Sequence, residues 1–375
     1  MTALRNDIDP DGLLEYSVVF TDRSLNHMSA AFQGVMCDLS RMLRDVYGAD
    51  GVALVPGGGT FAMEAVARQL ATDREVMVIR NGWFSYRWSQ IFEMGGIPSK
   101  ETVLMARRTG NDPKAPFAPV PIEEVTARIR EERPQMVFAP HVETSSGMIL
   151  PDDYLGAVSQ AVHEVGGLFV LDCIASGCVW VDMKATGVDV LISAPQKGWS
   201  ASPAAGCVML SQAALEQVKA TKSSSFAADL GKWLSIMETY ENGGHAYHAT
   251  MPTDALRVFR DTMRETREEG FEQLAQAQWR QGREVRKMLA ARGIASVAAP
   301  GFEAPGVVVS YTDRADVKTG KAFAEQGMQI AAGVPLMVGE GEGFETFRLG
   351  LFGLDKLRDV DASLARLDKA LDAVF

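Results

Sequence analysis

The segment Gly166-Gly167-Leu168-Phe169-Val170-Leu171-Asp172 constrains this chain most, because an unbroken apolar run ends abruptly on a carboxylate. Continuous apolar character, in place of alternation, is what a strand buried on both faces requires, and such strands belong to parallel sheets covered by helices. Val188-Asp189-Val190-Leu191-Ile192 forms a second run of this kind and leads into Ser193-Ala194-Pro195-Gln196-Lys197-Gly198-Trp199. Val52-Ala53-Leu54-Val55, Val76-Met77-Val78-Ile79, Met136-Val137-Phe138-Ala139 and Gly206-Cys207-Val208-Met209-Leu210 read as further strands, with helical patterns from Ile122 to Arg130 and from Tyr154 to Val165 between them. This alternation predicts an α/β fold with a mainly parallel sheet.

Ligands of open parallel sheets collect beyond the carboxyl ends of the strands. Asp172 and Gln196-Lys197 both occupy such ends. A lysine after a strand is ordinarily a solvated loop charge, so its weight comes from its companions. A lysine amine forms a Schiff base with a cofactor aldehyde, and a pyridinium nitrogen wants a carboxylate partner, so the pair suggests a pyridoxal phosphate site. Pro56-Gly57-Gly58-Gly59-Thr60 stands between a strand and the helical run Phe61 to Leu70. A glycine-rich turn of this kind presents N–H groups at the positive end of a helix and suits a phosphate, although an ordinary strand-to-helix turn accounts for three glycines by themselves.

With 375 residues and 47% hydrophobic content, the chain is long enough for one large and one smaller domain. The texture changes near Asp254 to long charged helices, Ala255 to Glu269 and Phe271 to Arg292, broken at Gly270. A large unit of residues 1–254 and a smaller one of 255–375 are expected. Gly306 to Tyr311 and Phe347 to Phe352 read as strands of the smaller unit. Leu357, Val360, Leu364, Leu367 and Leu371 predict a closing helix with one buried face. The net charge of -11 argues against nucleic acid or an anionic membrane surface as partner. No run of about 18 apolar residues and no signal-peptide core at the N-terminus is present, and a cytoplasmic location is expected. Cys37, Cys173, Cys178 and Cys207 lack paired metal-ligand spacing and read as reduced and packed.

Several motifs in order, from about Asn26 to the C-terminus, resemble the class V aminotransferases of the alanine–glyoxylate and serine–pyruvate type, in the fold type I group of pyridoxal phosphate enzymes. The resemblance implies a large domain with a mainly parallel seven-stranded sheet and a smaller C-terminal α+β domain. Gly58, Gly59 and Thr60 match the phosphate-binding turn. Asn81-Gly82-Trp83-Phe84-Ser85-Tyr86-Arg87 is similar to the stretch whose aromatic residue, here Phe84, stacks on the cofactor ring. His141-Val142-Glu143-Thr144-Ser145-Ser146-Gly147 resembles a segment in which the Thr144 hydroxyl would bond the cofactor's phenolic oxygen, while His141 reads as a packed or capping histidine. Asp172 matches the pyridinium partner, Ile174 the residue beneath the ring, Gln196 a phosphate contact and Lys197 the Schiff-base lysine. Ala246-Tyr247-His248-Ala249-Thr250 resembles the motif through which a neighbouring subunit reaches the phosphate by Tyr247 and Thr250, which implies a homodimer with shared sites. Arg348 corresponds to the arginine that holds the substrate carboxylate, where a bidentate guanidinium fork is required.

The resemblance thus implies a ping-pong aminotransferase moving an amino group from a small donor to a 2-oxo acid such as glyoxylate or pyruvate, with Lys197 shuttling the α-proton and Asp172 holding the ring protonated. A lyase acting on the same kind of amino acid is the alternative; a cysteine desulfurase is disfavoured because no cysteine follows Cys207. A non-catalytic regulator would have had less reason to retain Lys197, Asp172 and Arg348 together. The N-terminus departs from the family's Pro-Gly-Pro-type segment, with Leu13-Leu14-Glu15-Tyr16-Ser17-Val18-Val19-Phe20 in its place. Glu15, Tyr16, Ser17, Arg87 and Trp88 are therefore open candidates for reading the substrate side chain.

Overall fold

The computed structural model describes residues 7–375, so the N-terminal residues 1–6, read above for a targeting signal, lie outside it. Strands β1 (Gly51–Pro56), β2 (Glu75–Arg80), β3 (Lys100–Met105), β4 (Met136–Pro140), β5 (Leu168–Asp172), β6 (Val190–Ser193) and β7 (Ala205–Leu210) form one seven-stranded sheet. Their spatial order is β1-β7-β6-β5-β4-β2-β3. The pairs β6–β5, β5–β4, β4–β2 and β2–β3 are parallel, and β7 alone runs antiparallel to its neighbours β1 and β6. Every residue of β4, β5, β6 and β7 is buried, as their unbroken apolar sequences require.

Helix α1 (Ala30–Tyr47) opens where the Ser29 hydroxyl accepts the Phe32 N–H and closes at Gly48, whose φ of 68° is the left-handed cap conformation. Its inner face, with Phe32, Val35, Met36, Leu39 and Leu43, joins the large core. Helices α2 (Gly59–Leu70) and α3 (Trp83–Gly95) follow β1 and β2 directly, so both point their N-termini at the carboxyl edge of the sheet.

The long helices α4 (Thr253–Glu269) and α5 (Phe271–Ala291) meet at Gly270. Leu256, Phe259 and Met263 of α4 belong to the core of the large sheet, whereas Val285 and Leu289 of α5 belong to a second core. In that second core lie Val308 of β8 (Val307–Tyr311) and Phe347 and Leu349 of β10 (Thr346–Gly350); with the short β9 (Ala331–Ala332) these form an antiparallel sheet in the order β8-β10-β9. The two faces of this small sheet have different neighbours. Val308, Phe347 and Leu349 pack on the helices, while Val307, Val309 and Tyr311 pack on Val142, Met148 and Ile149 after β4. Strand alternation therefore turns Arg348, which lies between Phe347 and Leu349, away from the helices and toward the large sheet.

The closing helix α6 (Val360–Val374) buries Val360, Leu364 and Leu371, but Leu357 departs from the expected single stripe and sits in a separate turn, Leu354–Leu357. Asp359 explains the break, since its carboxylate accepts the Ala362 N–H and caps α6 two residues after that turn ends. No helix among the described residues is long and apolar enough to cross a membrane.

Candidate active site

At the end of β5, Asp172 is only 6% exposed, and its Oδ1 accepts the Ile174 N–H at 2.9 Å. Burial pushes its carboxyl up to about 7; the Ile174 N–H opposes this, the Glu143 charge adds to it and the Arg87 guanidinium lowers it. A buried carboxylate of this kind calls for a cationic partner. Its register places it opposite Ile192 of β6 and Pro140 of β4, in the middle of the sheet's carboxyl edge.

The glycine turn after β1 opens α2 at Gly58, where no side chain caps the helix, so backbone donors face outward beside the exposed Thr60. A Cβ at Gly59 would lie 2.3 Å from Ile174 Cδ1. That close approach seats the phosphate-type turn against the apolar residue two after Asp172, and a larger residue at position 59 would push the Ile174 side chain aside. Thr60 Oγ1 accepts from Arg87 at 2.9 Å, and the Arg87 guanidinium lies 5.1 Å from the centre of the Phe84 ring.

Lys197 follows β6 in a tight turn closed by the Ser200 N–H to Lys197 carbonyl bond, with Ser200 at a left-handed φ of 55°. Its Nζ stands 5.5 Å over the Phe352 ring. Burial lowers the Lys197 pKa from the ordinary lysine value, and the charge of Arg348 lowers it further, so a larger share of the amine is free to attack an aldehyde. Trp199 anchors the turn in the core, tilted against Trp180 and edge-on to Phe259 and Phe271.

Arg348 reaches across from β10. Its Nε donates to the Ala332 carbonyl at 2.8 Å, an Nη reaches the Thr144 carbonyl at 3.5 Å, and the guanidinium is 5.7 Å from the Phe84 ring centre. Burial lowers its pKa, partly offset by the Glu143 charge. The geometry thus gathers Thr60, Phe84, Arg87, Thr144 and Arg348 by direct contact, joins Gly59 to Ile174 and Asp172, and brings Lys197 within the field of Arg348. Gln196 is exposed beside Lys197. Tyr247 and Thr250 stand apart on the surface, their hydroxyls 3.1 Å from each other, with Tyr247 half exposed against His27.

The residues fit pyridoxal phosphate on the chemistry of this set: uncapped helix donors for a phosphate, an aromatic plate and an isoleucine for the two faces of a ring, an unpaired buried carboxylate for a ring nitrogen, and a lysine of lowered pKa for an aldehyde. His141 is neutral, driven down to about 3 by burial, with Nδ1 2.7 Å from the Ser176 hydroxyl. Of the open substrate candidates, Trp88 is fully buried on Phe92 and Phe138. Glu15 and Ser17 are engaged locally with Asn26, whereas Tyr16 is 91% exposed. Sequence reading assigned no role to Glu143, which is fully buried and accepts hydrogen bonds from Phe84, Ser85 and Ser145. The available signal was Gly82, a glycine at a helix start with no capping side chain of its own.

Fold and site together define a fold type I pyridoxal phosphate transferase. The model of the class-V aminotransferase family matches residues 14–361, and the chain belongs to that family. It is 29% identical over 354 residues to the 2-aminoethylphosphonate–pyruvate transaminase of Paraburkholderia phymatum, covering 92% of this chain and 89% of that one. With the alanine–glyoxylate aminotransferase 1 of Saccharomyces cerevisiae it shares 28% identity over 265 residues, 66% of each chain. The crystal structure of an alanine–glyoxylate aminotransferase from Nostoc sp. superposes with a TM-score of 0.79 at 24% identity, covering 93% of this chain and 89% of that one. Pyridoxal phosphate-dependent transamination is accordingly the chemistry of this chain.

Proposed function

We propose that the protein transfers an amino group from a small donor bearing an acidic group to a 2-oxo acid such as pyruvate or glyoxylate, in ping-pong fashion. The observation that carries this reading is the convergence of Arg348 from the small sheet with Lys197 and Phe84 from the large one. A carboxylate held in the Arg348 fork places the donor's α-carbon toward the Lys197 turn. The names of the relatives in phosphonate and alanine metabolism support an anionic small donor and a pyruvate or glyoxylate acceptor.

When bound, pyridoxal phosphate supplies the electron sink that makes an α-proton acidic. The chain's own residues do the rest. Gly58, Gly59, Thr60 and Gln196 would hold the phosphate, Phe84 and Ile174 the ring, Thr144 the phenolic oxygen, and Asp172 would keep the ring nitrogen protonated. Lys197 Nζ would hold the cofactor's aldehyde carbon and would be the group that moves the proton lost from the donor's α-carbon. Tyr247 and Thr250, exposed and hydrogen-bonded to each other, would complete the phosphate cradle of a second copy, so the active unit is a homodimer. The same reading divides the chain near residue 254, and the four unpaired cysteines fit a reducing cytoplasm.

The test is the absorption spectrum of the purified protein before and after separate additions of alanine, serine, aspartate, taurine and aminoethylphosphonate without an acceptor. A donor that bleaches the visible band, with recovery on adding pyruvate or glyoxylate, establishes transamination and the donor class. Release of ammonia or of a side-chain fragment in its place assigns a lyase, and absence of any visible band removes the reading.

A further inference from the structure

Helix α3 begins beneath the proposed ring site without a side-chain cap of its own, because Gly82 occupies the cap position. The donors at its first turn are met from the segment after β4. Glu143 Oε1 accepts from the Phe84 N–H at 3.2 Å, and Oε2 accepts from the Ser85 N–H at 2.8 Å and the Ser85 hydroxyl at 2.7 Å. Ser145 N–H and Oγ donate to Oε1 at 3.0 and 2.7 Å, while Ser145 Oγ accepts the Trp83 N–H at 2.8 Å. A Cβ at Gly82 would lie 2.0 Å from Ser145 Oγ and 2.7 Å from Glu143 Cγ, so glycine is what lets the two segments dock. The hydrogen bonds of the Glu143 carboxylate are all ones it accepts, and the group is fully buried with no ion pair among the described residues. A helix N-terminus is a favourable place for such a charge.

Phe84 is the second residue of the helix that this carboxylate holds. Arg348, the proposed carboxylate fork, makes no ion pair among the described residues either, bonding only to the carbonyls of Ala332 and Thr144. Glu143 stands next to Thr144, whose carbonyl Arg348 reaches, and its charge partly offsets the burial of the guanidinium. We propose that Glu143 is a positioning residue with two effects: it fixes the Phe84 plate by capping α3 from another part of the chain, and it is the resident counter-charge of Arg348 until a substrate carboxylate arrives. This inference rests on the site assignment above. It sets the binding of any carboxylate against a fixed anion, which weakens that binding and so favours release of the 2-oxo acid product.

The experiment uses the cofactor-loaded wild type, Glu143→Gln and Ser145→Ala, with propionate as a carboxylate that has no amine to react. Visible circular dichroism reads the seating of the cofactor, and its absorbance reads propionate binding. Glu143→Gln turns an amide donor toward the Ser85 donors, so the dichroism changes. It also removes the competing anion, so propionate binds roughly threefold tighter or more. Mere loosening of the site would weaken propionate binding. Ser145→Ala keeps the charge and loses part of the cap, so the dichroism changes while the propionate affinity stays that of the wild type. Equal or weaker propionate binding by Glu143→Gln overturns the proposal, as does an unchanged dichroism in Ser145→Ala, which decides the matter alone if Glu143→Gln does not fold. A wild type without any visible band would instead remove the site assignment on which the inference rests.

Discussion

Replacing Asp172 by asparagine should stabilise the cofactor-free protein while weakening its hold on the cofactor. Burial pushes the carboxyl up to about 7 in the folded chain, against an ordinary 3.8, so between these values the folded protein binds a proton that the unfolded chain has released. For a raised carboxyl, stability is fully present below the ordinary value and is lost as pH rises through the folded one. Roughly three pH steps at about 1.36 kcal/mol each set a ceiling of about 4 kcal/mol, and relaxation around a buried charge brings the expected figure to about 2–4 kcal/mol. Asparagine keeps the shape and the acceptor for the Ile174 N–H at 2.9 Å but has no charge to bury. Urea-unfolding midpoints of apo wild type and apo Asp172→Asn, compared at about pH 4.5 and about pH 8, test this: the variant should gain most of its advantage at the higher pH and little at the lower. Addition of cofactor should reverse the ranking, since an amide cannot balance a protonated ring nitrogen. An apo variant less stable than the wild type at the higher pH, or an advantage that does not change with pH, would falsify the assignment of Asp172 as a carboxylate buried to await a cation.

Lys197→Ala should leave no cofactor attached after borohydride reduction, as read by intact mass; retained attachment would move the Schiff-base role to another lysine. Arg348→Ala should raise the donor KM roughly tenfold to a hundredfold, the loss of a charged hydrogen bond worth about 1.5–3 kcal/mol, with the visible band intact; a normal KM rejects its role. Tyr247→Phe with Thr250→Val should lower cofactor retention in dialysis. Co-expressed with Lys197→Ala chains, these subunits should form mixed dimers with one defect-free site of the two, and an absence of any recovered activity there, with dimers confirmed, overturns the shared cradle.

The fold was largely legible because its strands carry their burial in their composition. Leu168 to Asp172 and Val188 to Ile192 admit few alternatives to a covered parallel sheet; the first ends where the strand ends, and the second strand begins two residues later than the run and extends one further, to Ser193. The closing helix was less legible. Its leucine spacing extends back to Leu357, but a local cap at Asp359 outweighs periodicity and starts the helix afresh. Lys197 and Asp172 stand at strand ends, but position alone gives them no chemistry; their weight comes from each other and from the motifs around them. Trp88, by contrast, sits five residues after Trp83 on the same helix, and only the packing of Phe92 and Phe138 against it shows that it turns into the core.

What sequence could not reveal is the exchange between segments that builds the site. Phe84 is oriented by a carboxylate from beyond β4, Arg348 is aimed by strand alternation in the small sheet, and the turn after Lys197 is tethered by the Leu354 N–H donating 2.8 Å to the Ser200 hydroxyl. The small sheet reaches the large one through the turn that carries Glu143 and Thr144, where Arg286 donates to the Ala304 and Val307 carbonyls and the Ala304 N–H donates to the Gly147 carbonyl at 2.8 Å. The plate, the fork and the lysine thus rest on a shared set of contacts between the two sheets.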